Sequence, residues 1–363
     1  MKRRQVLKLA GSAMLASAIH PAFARAKPQK VLILGGTGFI GPHFVDALSA
    51  GGHKVTLFNR GKRDAEAKPG VEQLLGDRND NLESLQGRDW DVVIDNSGYT
   101  PKQVELSTSL LKDHSKHYIF ISSIAVYADF MNPPIDESHA LAEIGTMPTD
   151  QLTGENYGPL KVLCEAVVHK AYGKRANIIR PTYICGPGDH TDRFTYWPFR
   201  VSQGGEMIAP GTADDPIQFI DVRDLADFVR VCVEKRVTGT FNLTVPARAA
   251  TMGKLLETSK RVTGADTKFV WASPDFLLAQ KAIEADGWAS KEVPIWSPPS
   301  GPNSGSALVS SKRAEARGLR FRTLEVTVRD TLEWQKTRPA EKQVLRSGLS
   351  AEREAQLLKA LKA

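Results

Sequence analysis

Tyr157 and Lys161 stand four residues apart in Tyr-Gly-Pro-Leu-Lys, a spacing that puts a phenol and an ammonium group on one side of a helix. Pro159 falls inside that spacing, so the helix must start here, because proline is tolerated in the first turn and not in the interior. A cation beside a phenol favours phenolate and lowers its pKa from about 10. Such a tyrosine can exchange a proton with a carbonyl or hydroxyl while hydride moves to or from a nicotinamide. The same spacing also describes a solvated helix face, so the chemistry depends on what precedes it.

What precedes it is a strand, a tight turn and a helix start. The apolar run 30–34 ends in Gly35, Gly36, Thr37, Gly38, Phe39, Ile40 and Gly41, and an amphipathic stretch continues to Leu48. The glycines permit the turn, let backbone N–H groups approach a pyrophosphate and let helix pack close on strand. The anion would sit at the positive end of the helix. Short apolar runs at 30–34, 54–58, 71–75, 91–95, 117–121 and 176–180 alternate with helical patterns. This alternation predicts an α/β fold, a Rossmann doubly wound parallel sheet with helices on both faces.

Beyond Pro181 the pattern is less regular. A Pro/Gly-rich loop spans 181–191, a strand-like run lies near 217–222, a helix at 223–234, a strand at 239–244 and a Pro/Ser/Gly-rich loop at 297–305. These pieces are expected in a smaller C-terminal α/β substrate lobe over the carboxyl ends of the strands, residues 182–340, partly interleaved with the sheet. Within 341–363, Ser350 to Leu361 reads as a capped helix with Leu357, Leu358 and Leu361 on one side.

Residues 1–26 stand apart. Lys2, Arg3 and Arg4 precede the weakly apolar stretch Val6 to Phe23, and Ala24-Arg25-Ala26 resembles a small-residue cleavage site. This is the layout of an export signal cut after Ala26 or Ala24. Arg3-Arg4-Gln5-Val6-Leu7-Lys8 resembles the twin-arginine signal, whose route carries proteins already folded. The expected location is therefore periplasmic or otherwise exported, with the twin-arginine translocase as a partner. The apolar stretch is short for a membrane span and is broken by His20 and Pro21. Removing the leader's five basic residues takes the formal net charge from +7 to +2. No basic run remains of the kind that binds nucleic acid, and none is expected as a partner. Residues 27–363 suffice for one large or two modest cores. Cys164, Cys185 and Cys232 lie widely spaced in apolar segments and read as buried thiols, not as a disulfide framework or zinc site.

Five segments together resemble the extended short-chain dehydrogenases/reductases of the NAD-dependent epimerase/dehydratase family. They are GGTGFIG at 35–41, ISSIAVY at 121–127, YGPLK at 157–161, RPTYICGPGD at 180–189 and QFIDVRDLADF at 218–228. The resemblance runs from about residue 28 to 336 in the family's order. It implies a Rossmann domain over residues 27–181 that binds NAD or NADP. It implies Tyr157 as acid/base, Lys161 as the residue that holds the nicotinamide ribose and depresses the tyrosine pKa, and Ser123 as a hydrogen-bond partner of the reacting oxygen. It places Asp77 against adenine, and Asn96 and Ser97 along the cofactor channel. An acidic residue at the end of the second apolar run would indicate NAD. This chain has Asn59 followed by Arg60, Lys62 and Arg63, which favours the 2′-phosphate of NADP, the alternative being a solvated basic loop.

The departures matter as much. Nucleotide-sugar epimerases of the family carry an arginine just before the F-I-x-V segment and another in the loop before Ser310-Ser311-Lys312. Here those places hold Ile217 and Pro298-Pro299-Ser300-Gly301, so a diphosphate clamp is not expected. Arg193 and Arg223 could substitute, or Arg223 could pair with Asp224. Two loops are expected over the site: 129–156 as a lid, and 190–197, where Arg193, Tyr196 and Trp197 either meet a sugar-like or aromatic ligand or pack the lobe. His190 has no partner spaced for metal binding, and no metal is expected. Three functions follow. The first is an NAD(P)-dependent oxidoreductase or epimerase acting on a small hydroxyl- or keto-bearing molecule such as a sugar. The second is an intracellular-type nucleotide-sugar epimerase or dehydratase, and the third a non-catalytic binding protein on the same fold. The set Ser123, Tyr157 and Lys161 favours an enzyme, and a homodimer is left open. An exported enzyme would carry its cofactor with it and regenerate it within the catalytic cycle.

Overall fold

In the computed structural model, which describes residues 27–62, 68–284 and 290–363, the apolar runs of the first half become strands of one parallel sheet. They are β1 (Lys30–Leu34), β2 (Lys54–Asn59), β3 (Glu72–Leu75), β4 (Trp90–Asp95), β5 (Ser115–Ile121) and β6 (Ala176–Pro181). The leader read at 1–26 and Arg63 lie outside the described residues. Successive side chains of a strand face opposite ways. Val31 and Ile33 therefore pack with Phe44 and Leu48 of α1 (Ile40–Ala50). Leu32 and Leu34 join Val104 of α2 (Pro101–Leu111) and Val168 of α3 (Tyr157–Tyr172) on the other face. Burial on both faces is why these runs are continuously apolar instead of alternating.

Downstream, β7 (Tyr183–Cys185) pairs with β9 (Phe219–Asp221), and β8 (Gly205–Pro210) pairs with β11 (Thr267–Ala272), both in parallel. Around them stand α4 (Tyr196–Ser202), α6 (Met252–Thr263), α7 (Pro274–Ala279), α9 (Leu324–Thr337) and α10 (Ala351–Leu361), with the short α8 (Lys312–Ala316) beside the main sheet. Their apolar sides form a second core around Trp197, Met207, Leu255, Trp296 and Leu357. Ser350 caps α10 by accepting from the Arg353 amide, and Leu358 and Leu361 lie against the same core as Leu357.

Part of the segment 182–340 interleaves with the main sheet. The helix and strand read at 223–234 and 239–244 are α5 (Val222–Lys235) and β10 (Gly239–Leu243), and both return to the main sheet. β10 pairs in parallel with β6, giving the order β10-β6-β5-β4-β1-β2-β3. Leu225, Phe228, Val229 and Cys232 of α5 join Phe44 and Leu48 of α1 in one buried cluster. An apolar stripe of that width needs a sheet face to cover it. The three cysteines are buried and unbridged. Among the described residues no helix is long and apolar enough to cross a membrane.

One buried ion pair locks the ends of the central strands, and no motif in the sequence marks it. Arg78, in the loop after β3, forks onto Asp95 at the end of β4, with Nη1 to Oδ1 at 2.5 Å and Nη2 to Oδ2 at 2.8 Å. Tyr118 of β5 donates to the same carboxylate at 2.8 Å, and Arg78 also donates to Ser97 Oγ at 2.9 Å. Burial pushes the Asp95 carboxyl up, but the Arg78 guanidinium beside it outweighs that and holds it below the usual carboxylate range. Removing one partner of such a pair leaves an uncompensated buried charge. Arg78→Ala should therefore cost about 3–5 kcal/mol in a denaturant titration, while Arg60→Ala, at an exposed position, should cost less than about 0.5 kcal/mol. Equal midpoints for the two variants would show that the pair does not hold the strand ends.

Candidate active site

Tyr157 opens α3 from a fixed platform. The preceding Asn156 is fully buried; its Oδ1 accepts from the Thr153 amide at 2.7 Å, and its Nδ2 donates to the carbonyls of Pro148 and Gln151 at 2.9 and 2.8 Å. Pro159 sits in the first turn, as its chemistry demands. Gly158 allows the close approach that matters: a Cβ there would lie 2.0 Å from the Ala125 carbonyl oxygen, so α3 can press against the turn after β5. That turn carries Ser123, whose Oγ accepts from the Ala125 amide at 3.1 Å and shares a hydrogen bond with the Tyr157 hydroxyl.

Lys161 lies one turn further on and is buried. Its Nζ donates to the carbonyls of Gly98 at 2.9 Å and Ile121 at 2.7 Å, over the Phe120 ring at 4.1 Å from the centroid. Burial lowers its pKa to about 8. The same loss of water pushes the Tyr157 phenol up, opposed by the bond from Ser123. The expected depression of Tyr157 by Lys161 is therefore corrected: the ammonium is committed to two backbone carbonyls, and desolvation dominates at the phenol. Lys161 keeps one of its three N–H donors for the cavity.

The glycine loop fits a pyrophosphate. Gly36 adopts φ +90, and a Cβ on Gly41 would lie 2.3 Å from the Gly36 backbone, so α1 starts hard against the turn. The first turn of α1 has no side-chain cap and no acidic residue, which leaves its N–H groups for an anion. A cavity of about 1080 Å³ runs from Gly35, Gly36, Thr37, Gly38, Phe39 and Ile40 to Ser123, Tyr157 and Lys161. Asn59, Arg60, Lys62 and Asp77 line one end of it, and Asn96 and Ser97 the wall between. Asn59 Oδ1 accepts from the Gly61 amide at 2.8 Å and from Gln73 at 3.1 Å, while its Nδ2 is buried without a partner. Asp77 accepts from the amide and side chain of Asn79, at 3.0 and 2.7 Å. Ser97 is fixed between Arg78 and the Leu34 carbonyl.

The expected substrate residues divide. Arg193 lines the cavity, its Nε on Thr191 Oγ1 at 3.1 Å and its guanidinium 4.8 Å over the Tyr183 ring. Tyr196 and Trp197 do not reach it: both are buried in the second core, where Trp197 Nε1 donates to the Pro294 carbonyl at 3.0 Å. Arg223 is likewise structural, paired with Asp221 at 2.7 Å and with Asp330, while Asp224 pairs with Arg322. Ile217 is buried in the second core. The loop 129–156 is only partly a lid. Ile135 bridges to Val309, the Phe130 carbonyl accepts from Gly305, and Glu137 Oε1 accepts from the Asn242 amide at 2.8 Å. Hydrogen bonds from 143–155 stay within the loop end and reach only Asn156.

Two functional groups escaped sequence reasoning. Arg180 forks onto Glu165, with Nη2 to Oε2 at 2.6 Å and Nε to Oε1 at 3.0 Å, and Ser122 donates to the same carboxylate. Tyr127 Oη accepts from Arg180 at 3.2 Å and donates to Asn242 Oδ1 at 2.6 Å. This buried network ties β5, β6, β10 and α3 together just behind Ser123; the adjacent serines at 122 and 123 were its one visible sign. Asp189 also lines the cavity, almost wholly buried, with Oδ1 held by the amide and hydroxyl of Thr191 and Oδ2 without a partner. Burial raises its pKa.

Known proteins resemble the chain in sequence or in fold. A chloroplast stem-loop binding protein of 41 kDa (form b) from Arabidopsis thaliana is 31% identical over 214 residues, 54% of this chain and 53% of its own. The chain thus spans about half the length of that relative. The Bordetella bronchiseptica enzyme WbmG, solved in complex with NAD, superposes with a TM-score of 0.63 at 16% identity over 90% of this chain and all of that one. A UDP-glucose 4-epimerase superposes with a TM-score of 0.62 at 16% identity over 88% and 99%. These solved structures share the fold. The model of the NAD dependent epimerase/dehydratase family matches residues 31–244, from β1 through β10 and past every residue of the Ser123–Tyr157–Lys161 set, and the chain belongs to that family.

Proposed function

We propose that the protein is a dinucleotide-dependent oxidoreductase or epimerase that works at a hydroxyl or keto carbon of a small molecule such as a sugar, after export by the twin-arginine route. The observation that carries this is the Ser123–Tyr157 hydrogen bond at the head of α3, with Lys161 buried one turn behind. A bound nicotinamide supplies or takes up hydride there. Ser123 and Tyr157 hold the reacting oxygen, Tyr157 moves the proton, and the third N–H of Lys161 is free for a ribose hydroxyl. Tyr157 rests as the phenol, and burial, which raises its pKa, means that the phenolate formed when it protonates a carbonyl needs Ser123 and Lys161 beside it.

Although the family is named for NAD, Asn59, Arg60 and Lys62 support NADP. Two exposed cations and an unpartnered buried amide N–H group stand where the 2′-phosphate would lie. The substrate half of the cavity supports an uncharged substrate over a nucleotide sugar. Asp129 and Glu155 line it beside Arg193, the Lys161 ammonium being turned onto two backbone carbonyls, and a nucleoside diphosphate would bring two more negative charges. Stem-loop binding, the property in the Arabidopsis relative's name, is disfavoured by the near-neutral charge of residues 27–363.

Tyr157→Phe should bind dinucleotide within about twofold of wild type yet lose about 10²–10⁴-fold in turnover; undiminished turnover would remove Tyr157 from the mechanism. Replacing Arg60 and Lys62 together by alanine should weaken NADPH about tenfold or more in a fluorescence titration and leave NADH unchanged. Equal loss for both cofactors would sink the NADP assignment. Millimolar UDP-glucose should leave the melting temperature of the dinucleotide-loaded protein within about 1 °C, since a ligand stabilises only the form it binds. A rise of several degrees would favour the nucleotide-sugar reading.

A further inference from the structure

The segment 186–192 lies across the dinucleotide cavity as a strap, fastened at both sides. On the side of the glycine loop, His43 of α1 bonds through Nε2 to the Pro187 carbonyl at 2.8 Å. Phe39, at the start of α1, stands edge-on to the rings of His43 and His190, at 6.1 and 6.4 Å between centroids. Phe39, Asp189 and His190 line the cavity together with Gly35 to Gly38. The strap therefore faces the place where the pyrophosphate would rest.

On the other side the strap is held by residues that come last in the chain. Asp192 is fully buried at φ +61, in the left-handed region that aspartate tolerates better than most residues with a side chain. Its carboxylate accepts from Arg338 Nη1 at 2.6 Å and from the Arg346 amide at 2.9 Å. Ser347 Oγ donates to the Thr191 carbonyl at 2.9 Å. Arg338 is itself set in place by Gln335 Oε1 at 2.7 Å and by the Trp334 ring at 5.1 Å. None of these groups lines the reacting centre, and a purely local fold of the lobe does not need a buried carboxylate at this position.

We infer that Asp192 and Arg338 are positioning residues for the dinucleotide: through them the segment 338–347 latches the strap over the glycine loop and sets how fast the cofactor leaves. This rests on the reading that the cavity holds a dinucleotide. For the cofactor to depart, the strap must lift, which breaks the His43–Pro187 bond and pulls against the Asp192–Arg338 pair, so the exit rate carries the free energy of that opening. The latch acts on retention and leaves the proton chemistry at Tyr157 alone.

The test measures the release of NADPH and NADH from the full chain by chasing reduced-nicotinamide fluorescence, below the melting transition of every variant. Arg338→Ala and His43→Ala should each speed release by about tenfold or more, with Arg338→Lys between alanine and wild type. The control is Arg353→Ala, which loses bonds to Glu292 and the Gln280 carbonyl in the same lobe without touching the strap. It should release cofactor at the wild-type rate even where its melting temperature falls as far as that of Arg338→Ala. Release from Arg338→Ala at the wild-type rate, or equal acceleration in Arg353→Ala, overturns the latch. A wild-type chain that retains neither dinucleotide overturns the cavity reading first, and the latch with it.

Discussion

The buried ammonium group of Lys161 is the constraint around which the site is built. A charge without water must be surrounded by acceptors or it neutralises. Here the acceptors are the carbonyl of Ile121, at the end of β5, and that of Gly98, in the loop after β4, with the Phe120 ring below. The lysine thereby ties the ends of two neighbouring strands to the first turn of α3. Burial lowers its pKa to about 8, opposed by the Cys164, Asp95 and Glu165 groups nearby, which leaves it mostly charged at neutral pH. The orientation of Tyr157, one turn earlier, follows from the same anchorage.

Two further ion pairs keep that anchorage rigid. Arg78 with Asp95 fixes the end of β4, and Arg180 with Glu165 fixes the end of β5 against β6 and α3. Each pair adds hydroxyl partners, Tyr118 and Ser97 for the first, Ser122 and Tyr127 for the second. Buried pairs of this kind bring little net stability over apolar residues of the same size. What they bring here is position: no strand end can slide without leaving a charge unpaired.

This separation explains which parts of the molecule could be read from the sequence. The strands of the sheet and the glycine loop depend on local periodicity, so 30–34, 54–58 and 176–180 matched their strands closely. Tyr157, Lys161 and Ser123 came from short spacings and a family resemblance, and the fold brings the three together. Arg78 was missed because its partner lies seventeen residues away on another element, and the polar run Asp77-Arg78-Asn79-Asp80 looks like an exposed loop. Tyr196 and Trp197 looked like ligand-binding aromatics because nothing nearby announces that α10 and Pro294 close over them. The lid at 129–156 was overextended for the same reason: the segment that pins its first half, 302–310, comes more than 170 residues later. Which elements of 182–340 interleave with the sheet was not legible, because the pairing of β10 with β6, strands distant in sequence, leaves no local trace.

Desolvation also decides the direction in which the site is poised. Withdrawing water penalises either charged form, so it drives Tyr157 up and Lys161 down, both toward neutrality. Were the lysine close enough to dominate the phenol, the tyrosine would be a ready base and alcohol oxidation would be favoured. With its ammonium turned onto two carbonyls, the tyrosine rests as the phenol and holds the proton that a substrate carbonyl would take, while its raised pKa makes the phenolate left behind the costly species. An epimerising cycle needs both steps at one residue, so the phenolate left by the first step must be stabilised in place until the second. The groups on hand for that are the Ser123 hydroxyl and the free N–H of Lys161, so under the proposed function the serine would be a partner in the proton transfer as well as a holder of the reacting oxygen.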